Sequence, residues 1–246
     1  MTDFACDMRS DHCTTPRMAF WSTLFSTKKD TVPPPALDSL RTQIYRADCT
    51  AMQVLKRKSP GEFAVRPLAD GLVEVLVSQR ANAESVLRWD VVKTFGKSED
   101  ELFALGATQG AAATKVVTQD LEFAVQMMAS NDFYLSALLL QSFARGKHKH
   151  GVLFAPISWH HWCVHVVQAS TLPPIVAMMA MVASEASKQM RVAEYEALTG
   201  DLYWYKPDGV IEKLELAGSG AEVHATSPAL QQAMDAAFRA HMDAPR

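Results

Sequence analysis

Asp201-Leu-Tyr-Trp-Tyr-Lys-Pro-Asp-Gly-Val210, continued by Ile211-Glu-Lys-Leu-Glu-Leu216, is the stretch that decides the fold class. Tyr, Trp, Val and Ile favour a pleated strand, and Lys206-Pro207-Asp208-Gly209 places each turn residue where its backbone suits it. The pattern predicts a β-hairpin. A second one lies upstream, where Phe63-Ala-Val-Arg-Pro-Leu68 and Leu72-Val-Glu-Val-Leu-Val77 flank the turn Ala69-Asp70-Gly71. Gly151-Val-Leu-Phe-Ala155 reads as a buried strand ended by Pro156, and Leu121–Met128 as another.

Helical periodicity fills the intervals. Leu40, Ile44, Ala47, Ala51 and Val54-Leu55 recur at three- and four-residue steps, which predicts a helix over 38–58. A second is predicted over 82–95, ended by Gly96. Ser98 and Glu101 form a capping box for the next, with Glu99 and Asp100 at its positive end. Phe133–Arg145 predicts a helix with Leu135, Leu138, Leu139 and Phe143 inward, and Gly146 at its left-handed cap. Ser170-Thr171 followed by Pro173-Pro174 opens a long helix to about Val192. Its methionines read as core filler. Ser227-Pro228 opens the last helix. Together these predict an α/β (α+β) fold: a central sheet of about five or six strands, mixed or mainly antiparallel, with helices packed on it.

Residues 1–35 read as an N-terminal extension closed by Pro33-Pro34-Pro35, and 36–246 as one α/β domain. Within the extension Phe20-Trp21 and Leu24-Phe25 have the spacing of a short amphipathic helix that docks on something. The 246 residues carry 24 Lys+Arg against 27 Asp+Glu, a net charge of −3, with 48% hydrophobic residues. That balance and a pI near 6.2 give no support to a protein that lives on nucleic acid, and none is expected as a partner. No apolar run approaches the roughly 20 residues of a membrane span. Cys6, Cys13, Cys49 and Cys163 include no Cys-x-x-Cys pair, and no secretory signal is visible, which predicts free thiols in the cytoplasm.

The order of four motifs resembles the YtpQ-like family of bacterial proteins of unknown function. They are Gly96-Lys-Ser-Glu-Asp-Glu-Leu-Phe103, Asn131-Asp-Phe-Tyr-Leu-Ser-Ala-Leu-Leu-Leu140, Gly151-Val-Leu-Phe-Ala-Pro156, and Leu198-Thr-Gly-Asp-Leu-Tyr-Trp-Tyr205 with Asp208-Gly209. The resemblance spans roughly Phe63 to Leu216. Where that family commonly carries an arginine two residues after the proline, this chain has Ser158. The resemblance implies an α/β fold with a mixed or antiparallel sheet. It brings no established activity, cofactor or catalytic residue.

The densest chemistry lies in Ile157-Ser-Trp-His-His-Trp-Cys-Val-His165. On a helix, His161 and His165 would share a face. On a strand, His161, Cys163 and His165 would alternate onto one face as a three-ligand set for a divalent metal. No His-Glu-x-x-His supports it; Glu122, Asp132 and Glu185 are the acids that could. Arg145-Gly-Lys-His-Lys-His-Gly151 is a basic loop, readable as a solvated helix end or as an anion site. No nucleophile elbow, phosphate loop or dinucleotide fingerprint occurs. Two functions remain. The favoured one is a non-enzymatic interaction or accessory (immunity-like) module with a protein partner, contacted through Phe20, Trp21, Tyr203 and Tyr205. The alternative is a metal- or small-molecule-binding enzyme using the cluster at 160–165.

Overall fold

The computed structural model describes residues 35–58, 61–80, 83–171, 173–192, 198–218 and 223–243. Apart from Pro35, the expected extension, Phe20 and Trp21 included, lies outside them. Every strand pair is antiparallel. In chain order the elements begin with β1 (Leu40–Arg46), α1 (Thr50–Lys58), β2 (Val65–Ala69), β3 (Leu72–Arg80), β4 (Ala83–Val86), α2 (Trp89–Lys93) and α3 (Glu99–Ala113). They continue with β5 (Val117–Asp120), β6 (Gln126–Ala129), α4 (Leu135–Gly146), β7 (Val152–Pro156), β8 (His161–Val166) and α5 (Pro173–Val192). The last are β9 (Tyr203–Tyr205), β10 (Ile211–Lys213), β11 (Leu216–Ala217), β12 (His224–Ala225) and α6 (Pro228–Met242).

The largest sheet has six strands in the order β10-β9-β7-β8-β6-β5. A second, of four strands, centres on β3, with β1 on one side and β2 and β4 on the other. β11 and β12 pair alone. This is the expected α+β class, with two substantial sheets in place of one.

Both faces of the six-stranded sheet are covered. Leu153, Ala155 and Cys163 pack under α5 and α6, against Ile175, Val176, Met179, Leu230 and Met234. On the reverse face Phe154, Trp162, Val164 and Tyr203 meet Leu135, Leu139 and Phe143 of α4. Ile44 and Leu72 of the second sheet join that cluster. Phe154 is stacked against both Trp162 and Tyr203, with ring centroids at 5.2 and 5.5 Å. α3 sits close on β1 and β3, because a Cβ at Gly106 would come within 2.9 Å of Leu76.

The expected helix over 38–58 is instead β1, a turn and α1. The spacing of Leu40 and Ile44 serves a strand as well as a helix, and buried Thr42 and Gln43 break the simple alternation of a half-buried strand. The segment 82–95 divides into β4 and the single turn of α2 rather than one helix. Leu121–Met128 contributes only β6, and β5 precedes it as its hairpin partner. Lys147, at φ 45, takes the left-handed position expected of Gly146. The capping box is present: the Glu101 N–H donates to Ser98 Oγ, and Glu101 Oε2 accepts from the Ser98 N–H at 2.8 Å. No helix among the described residues is long and apolar enough to cross a membrane.

Candidate functional site

β8 is an interior strand, so its side chains alternate strictly between two covered faces. His161, Cys163 and His165 do share one face. They do not converge, because alternate residues on a strand are about 6.6 Å apart and the outer two about 13 Å. Among the described residues no group of three or more His, Cys, Asp or Glu is placed to hold a metal ion. The expected ligand set is therefore corrected to three separate side chains. Of the acids that could support it, Asp132 accepts from the Lys115 N–H and Glu185 lies beside Lys188.

Each ring is committed to the fold. Fully buried His165 donates from Nδ1 to the Ala124 carbonyl at 3.2 Å, which leaves Nε2 to accept from the Thr171 hydroxyl at 2.7 Å. Thr171 Oγ1 in turn accepts from the Gln168 N–H at 2.8 Å. The Ala124 carbonyl is offered by a turn in which Phe123 and Ala124 are both left-handed, at φ 59 and 58. His161 Nδ1 pairs with Ser158 Oγ at 3.2 Å, and His160 Nδ1 donates to the Ser130 carbonyl at 3.0 Å. Burial holds all three imidazoles below their ordinary pKa, so they stand neutral. The Cys163 thiol, surrounded by apolar groups, is pushed up to about 12 and stays protonated. Such a thiol is a poor nucleophile and a poor metal ligand.

The expected partner contacts on β9 are also corrected. Tyr203 is fully buried, and its hydroxyl donates to the Asp70 carbonyl at 3.2 Å. Tyr205 is half-buried with its ring 5.7 Å from Phe143. Tyr203 is therefore closed to a partner, and Tyr205 offers only part of its ring.

Two arrangements escaped sequence reasoning. In the first, Glu84 of β4 lies buried between β1 and the start of α4. Its carboxylate accepts from the Tyr134 hydroxyl and from Gln43 Nε2, and Gln43 Oε1 accepts from Tyr45 at 2.8 Å. Desolvation raises the Glu84 pKa, opposed by the Gln43 hydrogen bond and the Arg41 charge. Beside it the Trp159 indole N–H donates to the Ile44 carbonyl of edge strand β1 at 2.8 Å. Its ring packs edge-on against Tyr45 and Phe133. This cluster is closed and fully used.

The second is open to solvent. Pro173, Pro174 and Val176 of α5, Val223, His224 and Ala225 near β12, and Ser227, Leu230, Gln231 and Met234 of α6 line a groove of about 390 Å³. Phe238 and Met242, four and eight residues beyond Met234 on α6, are 51% and 65% exposed. One helix thus carries apolar surface from the groove out into solvent. The sequence signal for it is the helical stripe of Leu230, Ala233, Met234, Ala237, Phe238 and His241. Of that stripe Ala237 is buried, whereas Phe238 is exposed.

No family model, no curated protein and no solved structure matches this chain.

Proposed function

We propose that this chain is a protein-interaction module, and that it takes an apolar segment of a partner polypeptide in the groove between α5 and α6. The observation that carries the reading is that α6, which lines the groove with Leu230 and Met234, exposes Phe238 and Met242 one and two turns further on. Helix-in-groove recognition uses such surfaces, with anchors from the partner at helical spacing. Each fully buried apolar anchor contributes roughly 1.5–3 kcal/mol, so two or three give a specific contact. The groove lies at the small end of ligand pockets, at about 300–1,000 Å³, and has few convergent polar groups, which fits side chains better than a cofactor. The enzyme alternative loses its support, because the rings of His160, His161 and His165 are all engaged in the fold. The resemblance to the YtpQ-like family, which carries no activity, is compatible with either. We assign the module to the cytoplasm on the cysteine usage and the buried thiol of Cys163.

The test compares tagged wild-type protein, expressed near native level in its host, with Gln231→Arg and Phe238→Ser. Both positions are exposed, so folding is preserved. A stoichiometric partner held by the wild type and lost by both variants supports the groove. A partner retained by both variants overturns it.

A further inference from the structure

We infer that the partner segment is acidic, and that the loop joining α4 to β7 receives its charge. The inference rests on the groove reading above and deepens it. Arg145, Lys147 and Lys149 are exposed, and among the described residues no carboxylate forms an ion pair with any of them. From Phe133 to Ser184 the chain has no aspartate or glutamate at all, although it has a net charge of −3 overall. The positive loop is therefore a local pole on a negative protein. The C-terminus of α4 offsets about half a charge, which three cations outweigh.

This loop is built rather than loose. The Gly151 N–H donates to the His148 carbonyl at 3.0 Å, and the Trp204 indole donates to the His150 carbonyl at 3.1 Å. The His148 ring lies directly over Gly146, in space that a Cβ would need. The loop is also tied to the groove's side of the molecule. The Val167 N–H donates to the Gly151 carbonyl at 3.0 Å, and the chain runs on from there through Thr171 to Pro173 and Pro174, the wall of the groove. Apolar groove and positive loop thus lie toward the same end of β7 and β8. Two carboxylates of the β9–β10 hairpin, whose strand β9 pairs with β7, are occupied: Glu212 with Lys206 at 2.6 Å, and Asp208 with the Val210 N–H at 3.0 Å. A polypeptide with apolar anchors and Asp or Glu between them satisfies both surfaces. A nucleic acid does not: the aromatic beside the loop, Trp204, is buried where no base could stack on it.

The test uses the full chain and two labelled peptides of about 20 residues with identical leucine and phenylalanine spacing, one with Glu on its polar face and one with Lys. An oligothymidylate of similar length is the third probe. Fluorescence anisotropy at low and at physiological salt reads binding. The Glu peptide is expected to bind about tenfold or more tighter than the Lys peptide, and to weaken as salt screens the contact. The variant Arg145→Gln/Lys147→Gln/Lys149→Gln, folded by circular dichroism, is expected to lose about that same factor. Equal binding of both peptides, an unchanged triple variant, or preference for the oligonucleotide overturns the acidic assignment. Dimerisation of the chain through Phe238 without peptide binding overturns it as well. If the triple variant loses the Glu peptide while Phe238→Ser keeps it, the acidic assignment holds and the groove reading fails. The reverse result fails the acidic assignment alone.

Discussion

The Tyr134 hydroxyl donates to Oε1 of Glu84, a residue fifty positions earlier, and so joins the N-cap of α4 to the short edge strand β4. Gln43 donates to the other carboxylate oxygen, so both oxygens accept and the group is arranged as an anion. Yet burial penalises that anion and lifts its pKa above the ordinary carboxylate value of 4.5. The charged groups that bear on it reduce to Arg41, which favours ionisation.

A carboxyl whose folded pKa is raised binds its proton more tightly in the native state than in the unfolded chain. Its ionisation therefore costs stability above the folded pKa. The cost disappears as pH falls from the folded pKa toward 4.5. Wild type should gain stability relative to Glu84→Gln across that window and lose it above. Urea midpoints of the two proteins between about pH 4 and 8 measure the difference. A difference that is flat in pH would remove the buried anion from the account.

Thr171→Val leaves His165 Nε2 without its donor and the Gln168 N–H without its acceptor. The orphaned ring nitrogen of buried His165 costs about 1–3 kcal/mol, so unfolding should move to clearly lower denaturant. At neutral pH the wild-type ring should be the Nδ1–H tautomer, read from imidazole nitrogen shifts. Because burial lowers this pKa, the unfolded chain takes up a proton that the fold resists. Stability should therefore fall as pH drops below 6.5 toward the folded value. An Nε2–H tautomer at neutral pH would contradict the bonding to Ala124.

Gly151 and Gly96 make a controlled pair. Both have positive φ, 86 and 64. A Cβ at Gly96 meets nothing, whereas one at Gly151 collides with the Trp204 indole nitrogen and the Tyr205 carbonyl oxygen. Gly96→Ala should cost only the left-handed penalty of roughly 1–2 kcal/mol. Gly151→Ala adds displacement of two packed groups, typically a further 1–3 kcal/mol or more. Thermal unfolding of both variants checks the order.

Trp159→Phe keeps an aromatic ring against Tyr45 and Phe133 but withdraws the donor from the Ile44 carbonyl. The expected loss is about 1–3 kcal/mol if the carbonyl stays dry. Hydrogen exchange of β1 amides should speed with it. Unchanged exchange and an unchanged urea midpoint would show that water replaces the indole.

Features written in neighbouring residues were legible in the sequence. Pro207-Asp208-Gly209 and Asp70-Gly71 announced their hairpins through turn chemistry, and Ser98 with Glu101 announced α3 through its cap. Elements whose logic is non-local were not. β1 buries Thr42 and Gln43 along with Leu40, Ile44 and Tyr45, so no alternation separates a wet face from a dry one. β4 is four residues long and is held by pairing with β3, not by its own propensity. The histidines of β8 were visible as a cluster. Their engagement was not, because the groups that occupy them, Ala124, Ser130 and Thr171, come from outside the strand. Glu84 sat in a segment read as helix, and its partners Gln43 and Tyr134 lie far along the chain in both directions.

The bond between Trp159 and Ile44 spans 115 positions. Protein synthesis runs from the N-terminus, at about 5–20 residues per second, so Trp159 follows Ile44 by roughly 6–23 s. The four strands from Leu40 to Val86 are emitted early and pair largely with their neighbours. Throughout that interval the outer side of β1 is a bare strand edge on a nascent chain. It stays available to any other strand, including the same edge on the next ribosome of a polysome. The indole that takes up its Ile44 carbonyl arrives late.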